Sequence, residues 1–60
     1  MIAMQDIKMN TKQDGIYLSA KTKHGNYGQF YNTVHPDKAN YMPNIKTAKQ
    51  RFIDFYNQFE

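Results

Sequence analysis

The cleanest pattern in the chain is the alternation over Gly15 to Thr22, where Ile16, Leu18 and Ala20 fall on one side and Tyr17, Ser19 and Lys21 on the other. A period of two predicts a strand with one covered face. A weaker alternation over Ile2 to Met9 sets Gln5, Ile7 and Met9 against Met4, Asp6 and Lys8 and predicts an earlier strand. A third is expected over Gln29 to Val34, with Phe30 and Val34 turned to the core and Tyr31 and Thr33 away from it. Asn10 to Gly15 is a polar connection whose Asp14-Gly15 pair suits a hairpin, and His24-Gly25-Asn26-Tyr27-Gly28 reads as a second turn. His35-Pro36 ends the third strand, because proline has no N–H for a ladder and restrains the residue before it.

Beyond a loop at Asp37 to Met42 the period changes. Pro43 suits a first helical turn, and Ile45, Ala48, Phe52, Phe55 and Phe59 then recur at helical spacing, a stripe widened by Ile53 and Tyr56. Lys46, Gln50, Asp54 and Asn57 fall on the wet side. The pattern predicts an α+β fold: a three-stranded antiparallel sheet with one C-terminal helix packed on one face. With 60 residues it is a single domain, residues 1 to 60, and a chain of this size is marginal alone. There is no cysteine, so disulfides, thiolate metal sites and thiol catalysis are excluded, and self-association is the means of reinforcement left. A dimer is therefore expected.

Charge adds a polyanion to the list of partners. The chain carries eight Lys/Arg against five Asp/Glu, net +3, and residues 8 to 51 hold all eight basic groups with only Asp14 and Asp37, a local +6. The longest apolar run, Ile16-Tyr17-Leu18, cannot cross a bilayer, and Met1 to Met9 lacks the basic-then-apolar plan of a signal peptide, so a cytoplasmic protein without membrane contact is expected.

Asp6-Ile7-Lys8, Gly15-Ile16-Tyr17-Leu18-Ser19, Lys21 with Lys23, Gly28-Gln29-Phe30 and His35-Pro36 follow one another in an order that resembles the stage V sporulation protein G (SpoVG, septation protein) family of small bacterial nucleic-acid-binding proteins. The helix with Ile45, Ala48 and Tyr56 is similar too. The resemblance implies a β-sheet dimer that binds DNA or RNA. The sequence departs from that family in having no hairpin before Asp6-Ile7 and in replacing a basic residue ahead of the helix by the stretch from Ala39 to Ile45.

Three constellations can carry such binding. The outward sheet face is expected to show Tyr17 and Tyr31 beside Lys8, Lys21 and Thr33, either stacking bases or serving as cross-strand pairs or a dimer interface. The turn from Lys21 to Gly28 joins Lys23, His24 and Tyr27 to glycines that let backbone approach a phosphate, and it also reads as a solvated hairpin tip. Lys46, Lys49 and Arg51 add positive charge near the helix start, where the helix is itself partly positive. His35 reads as a strand-ending residue that holds the next loop. With no phosphate loop, nucleophile motif or metal-ligand spacing, the sequence predicts a non-enzyme without cofactor or metal. The expected function is a nucleic-acid-binding regulatory homodimer whose contacts are Lys21, Lys23, His24, Tyr27, Tyr31, Lys46, Lys49 and Arg51. The alternative is a phage or mobile-element protein that inhibits a host protein, using Tyr27, Tyr31, Tyr41 and Met42 as exposed contacts.

Overall fold

A computed structural model describes residues 1–59. A short 3-10 turn, Met4–Asp6, leads into β1 (Lys8–Thr11), β2 (Gly15–Thr22), β3 (Gly25–Asn32) and α1 (Ile45–Asn57). The three strands form one antiparallel sheet in the order β1-β2-β3, and the helix covers one face, so the α+β architecture is as the pattern predicts. Ile16, Leu18 and Ala20 of β2 meet Ala48, Phe52, Ile53 and Tyr56 of α1, with Leu18 and Phe52 sealed completely. Burying one such side chain is worth about 1.5–3 kcal/mol, which explains why β2 and α1 are the elements whose periodicity is least ambiguous.

The start of the chain differs from expectation. Ile2 is buried among the core residues and its N–H donates to Asn57 Oδ1 at 3.2 Å, tying the N-terminus to the helix. The chain then turns, with Asp6 N–H on Ala3 O (3.0 Å) and Ile7 N–H on Met4 O (3.3 Å), instead of running straight as a strand from Ile2. Pairing begins only at Lys8, opposite Ser19, and continues to Thr11, opposite Ile16. The polar connection is correspondingly short, closed by Lys12 N–H on Gly15 O at 2.7 Å.

The third strand is displaced and its faces are exchanged. Thr22 pairs with Gly25, so the turn consists of Lys23 and His24 alone, with Gly25 at φ 106, a conformation glycine adopts readily. The Thr22 hydroxyl accepts from His24 N–H at 3.1 Å and donates to Gly25 O at 2.7 Å, which clips the tip. Counting back from this turn sets Tyr27, Gln29 and Tyr31 opposite Ala20, Leu18 and Ile16 on the helix side, and Phe30 opposite Tyr17 on the uncovered side. Phe30 is thus not a core residue, and Val34 is exposed beyond the end of β3.

Asn32 joins the sheet to the returning loop. Its N–H donates to Asn40 O (3.0 Å), its C=O accepts from Met42 N–H (2.7 Å), and its buried Oδ1 accepts from Val34 N–H (3.0 Å) and His35 N–H (2.6 Å). The loop then reaches Asn44, whose Oδ1 accepts from Thr47 N–H at 3.1 Å and caps α1, leaving Pro43 outside the helix. Along α1 the apolar stripe is rotated from the expected one. Ala48, Phe52, Ile53 and Tyr56 are buried, whereas Ile45, Phe55 and Phe59 are exposed, Phe59 lying just past the helix end.

Candidate nucleic-acid interface

The uncovered face of the sheet is laid out by the strand register. Because directly paired residues share a face, its rows read Asn10, Tyr17, Phe30, then Lys8, Ser19, Gly28, then Lys21 beside Asn26. The middle row is floored by two small residues, Ser19 and Gly28, between an aromatic row and a row with a lysine. A concavity of about 440 Å³ opens there, lined by Lys8, Tyr17, Ser19, Ala20, Lys21 and Asn26. Tyr17 lies down along the sheet, for a Cβ added at Gly28 would run into its hydroxyl and the adjoining ring atoms. Phe30 lies over Gly15 in the same way. The glycines admit rings that would otherwise stand off the surface, and Tyr17 keeps 38% of its area exposed.

Lys21 alone of the eight predicted contact residues belongs to this concavity. Lys23 and His24 form the exposed tip of the β2–β3 hairpin. Tyr27 and Tyr31 are corrections: both lie on the helix side, half-buried and packed against the core. Tyr27 stacks at 5.1 Å, centroid to centroid, on both Phe52 and Tyr56, and its hydroxyl accepts from Gln29 Nε2 at 3.2 Å. The two-residue turn is the cause, since one residue more or less would have put these tyrosines outside. Burial raises the Tyr31 hydroxyl above the ordinary tyrosine value of 10.0, the nearby Tyr27 adds to this, and the Arg51 guanidinium opposes it.

The helix cations do not form one patch either. Lys46 and Arg51 are five residues apart and therefore about 140° apart around the axis, on opposite flanks. Lys49 is half-buried, about 60° from Lys46 toward the core and about 160° from Arg51. All three sit in the helix layer, across the sheet from Lys8 and Lys21. Positive charge is thus divided between the two layers, with Lys23 at one end.

Lys8, Tyr17, Ser19, Asn26 and Phe30 complete the uncovered face. The alternation of β2 points to Tyr17 and Ser19, whereas Asn26 and Phe30 depend on the register of β3, which only the turn length reveals. His35 holds the loop: its backbone N–H binds Asn32, its C=O accepts from Lys38 N–H at 3.1 Å, and its Nε2 stands 3.9 Å from Asp14 Oδ1. Among the described residues, no three His, Cys, Asp or Glu gather as metal ligands, and no helix is long and apolar enough to cross a membrane. Tyr41 and Met42 are half-buried, not free contacts.

Compared with protein-family models, curated proteins and solved structures, the chain matches none.

Proposed function

We propose that this protein is a small nucleic-acid-binding regulatory protein, acting on DNA or RNA as a homodimer in the cytoplasm, and that the uncovered face of its sheet is the principal contact surface. The observation that carries this reading is the placement of Lys8 and Lys21 beside the exposed ring of Tyr17 and the half-buried ring of Phe30, on a face whose concavity no carboxylate lines. Lysines attract phosphates at any sequence, and aromatic rings on a sheet accept unstacked bases, the combination used by single-strand binders. Lys23 extends the basic surface to the hairpin tip, where His24 offers a polar ring, and the cations of α1 add a longer-range field. The resemblance of Asp6-Ile7-Lys8, Gly15 to Ser19 and His35-Pro36 to the stage V sporulation protein G family supports the same reading.

A homodimer is supported by size and by the edge of β3, which among the described residues has no neighbouring strand along Asn26 to Gln29. Covering it with a second copy would remove an open edge and bring two basic faces into one assembly. The protein would bind without cofactor or metal and without chemical conversion of its ligand. The direct test is fluorescence anisotropy of single- and double-stranded oligonucleotides across a salt series. Affinity for the single strand should fall linearly on a log–log plot against salt, the slope counting the phosphates engaged. Absence of binding at low salt overturns the reading.

One observation favours a second reading, a phage or mobile-element inhibitor of a host protein. Phe55 and Phe59, 47% and 72% exposed, pack edge to face at 5.3 Å on the flank of the helix and offer an aromatic anchor to a protein surface. Under this reading Phe55→Ala abolishes partner capture while oligonucleotide binding is absent throughout.

A further inference from the structure

The concavity on the uncovered face has the chemistry of a seat for one unpaired nucleotide, and the geometry points to a specific docking of a single strand there: a phosphate held between Lys8 and Lys21, with its base against Tyr17. This rests on the nucleic-acid reading above and adds to it a position, a stoichiometry of one base and a reason for preferring unpaired strands.

The register supplies the first argument. Lys8 is opposite Ser19, and Lys21 is two residues further along β2 on the same face, so the two lysines are diagonal neighbours, about 7–8 Å apart at the backbone. Two ammonium groups on flexible stems at that separation can converge on one phosphate. Tyr17 is the diagonal neighbour of Lys8 on the other side, so a phosphate at the lysines leaves the adjoining base within reach of the ring.

Vacant hydrogen-bonding capacity supplies the second. The side chains of Ser19 and Asn26 and the hydroxyl of Tyr17 line the same concavity, and none makes a hydrogen bond among the described residues. Neither Lys8 nor Lys21 has a carboxylate within ion-pair distance among those residues. Two cations, three unpartnered polar groups and an aromatic ring around one hollow match a ligand with an anionic end and a flat, hydrogen-bonding end. At about 440 Å³ the hollow lies in the size range of small-ligand sites, which run from roughly 300 to 1,000 Å³. It admits one base. A paired base keeps both faces stacked in its duplex and cannot enter.

The test compares a ten-residue oligothymidylate with an abasic strand of equal length, using wild-type protein, Tyr17→Leu and Lys8→Gln, with circular dichroism to establish that each variant is folded. Leucine keeps an apolar cover over Gly28 without a ring, and Lys8 is on an exposed edge strand, so at least one variant keeps the fold intact. Removing the bases should weaken wild-type binding roughly 5- to 150-fold, the range expected for one stacked base. Tyr17→Leu should bind both strands alike, at the wild-type affinity for the abasic one. Lys8→Gln should weaken both equally and lower the salt slope by about one. If base removal costs Tyr17→Leu as much as wild type, the seat is refuted while the broader nucleic-acid reading stands. If neither strand binds wild-type protein at low salt, both fall together.

Discussion

Asn32 carries more of the structure than its residue type suggests. One side-chain oxygen satisfies two backbone donors, and its backbone satisfies two more groups of the returning loop. Replacing it by alanine leaves Val34 and His35 N–H without that acceptor, so Asn32→Ala should lose about 1–3 kcal/mol in urea denaturation. Tyr56 is the opposite case, a buried hydroxyl with no hydrogen-bond partner among the described residues. Tyr56→Phe removes that desolvated group and should be neutral or raise stability by about 1 kcal/mol, read as a higher Tm. Tyr31 links stability to pH. Its folded hydroxyl titrates above the ordinary 10.0, chiefly because burial disfavours the phenolate. The neutral form is the one folding favours, so its contribution is complete below that ordinary value and is lost as pH rises through the raised one. As pH rises above 10.0 the stability of Tyr31→Phe should therefore decline less steeply than that of the wild type. Equal slopes would show that Tyr31 is not the linked group.

At the scale of elements, β2 is legible, α1 is legible as a helix but not in its exact buried face, since Ile45, Phe55 and Phe59 are exposed, and β3 is legible only in part. β2 alternates because one face is covered and the other is wet, so its period carries its phase. β3 has aromatic residues on both faces, Tyr27 and Tyr31 under the helix and Phe30 outside, and alternation then says nothing about which face is which. Its phase is set by the length of the Lys23-His24 turn, and a turn over His24 to Gly28 leaves Tyr27 in the turn and sets Tyr31 outward and Phe30 inward. For the candidate site this is decisive: two expected base contacts, Tyr27 and Tyr31, are half-buried against the core on the helix side, whereas Tyr17 and Lys21, read from β2, are where the pattern puts them. The N-terminal stretch misled for another reason, since Ile2 is held by a contact with Asn57, 55 residues away, that no local pattern reveals. The aromatic arrangement on the open face yields its own prediction. A methyl group at Gly28 meets the far end of the Tyr17 side chain, which can swing away, so Gly28→Ala should cost below about 1 kcal/mol yet lift the ring off the sheet. Tyr17 ring resonances should shift strongly while the fold signature is retained.

Among the described residues the molecule is two layers, 32 × 20 × 17 Å, with no helix or strand packed on the second face of the sheet. It exposes 4429 Å², against roughly 4,100 Å² expected for a folded monomer of this mass. The two values are close, so it is the one-sided core and the open sheet edges, not the total area, that give the physical reason to expect a second copy. Sedimentation equilibrium should give twice the 7.1 kDa chain mass at micromolar concentration; a monomer at all concentrations would remove the dimer from the account. Division of the charge between the layers gives the most direct test of the central claim, that the uncovered sheet face is where nucleic acid binds. The measurement is the salt dependence of single-strand affinity for two charge-matched double variants, Lys8→Gln with Lys21→Gln, and Lys46→Gln with Arg51→Gln. The account predicts that the sheet-face pair lowers the log–log slope by about two and weakens binding at every salt concentration, while the helix pair leaves the slope nearly unchanged. The reverse order, with the helix pair lowering the slope and the sheet pair leaving it intact, would contradict it.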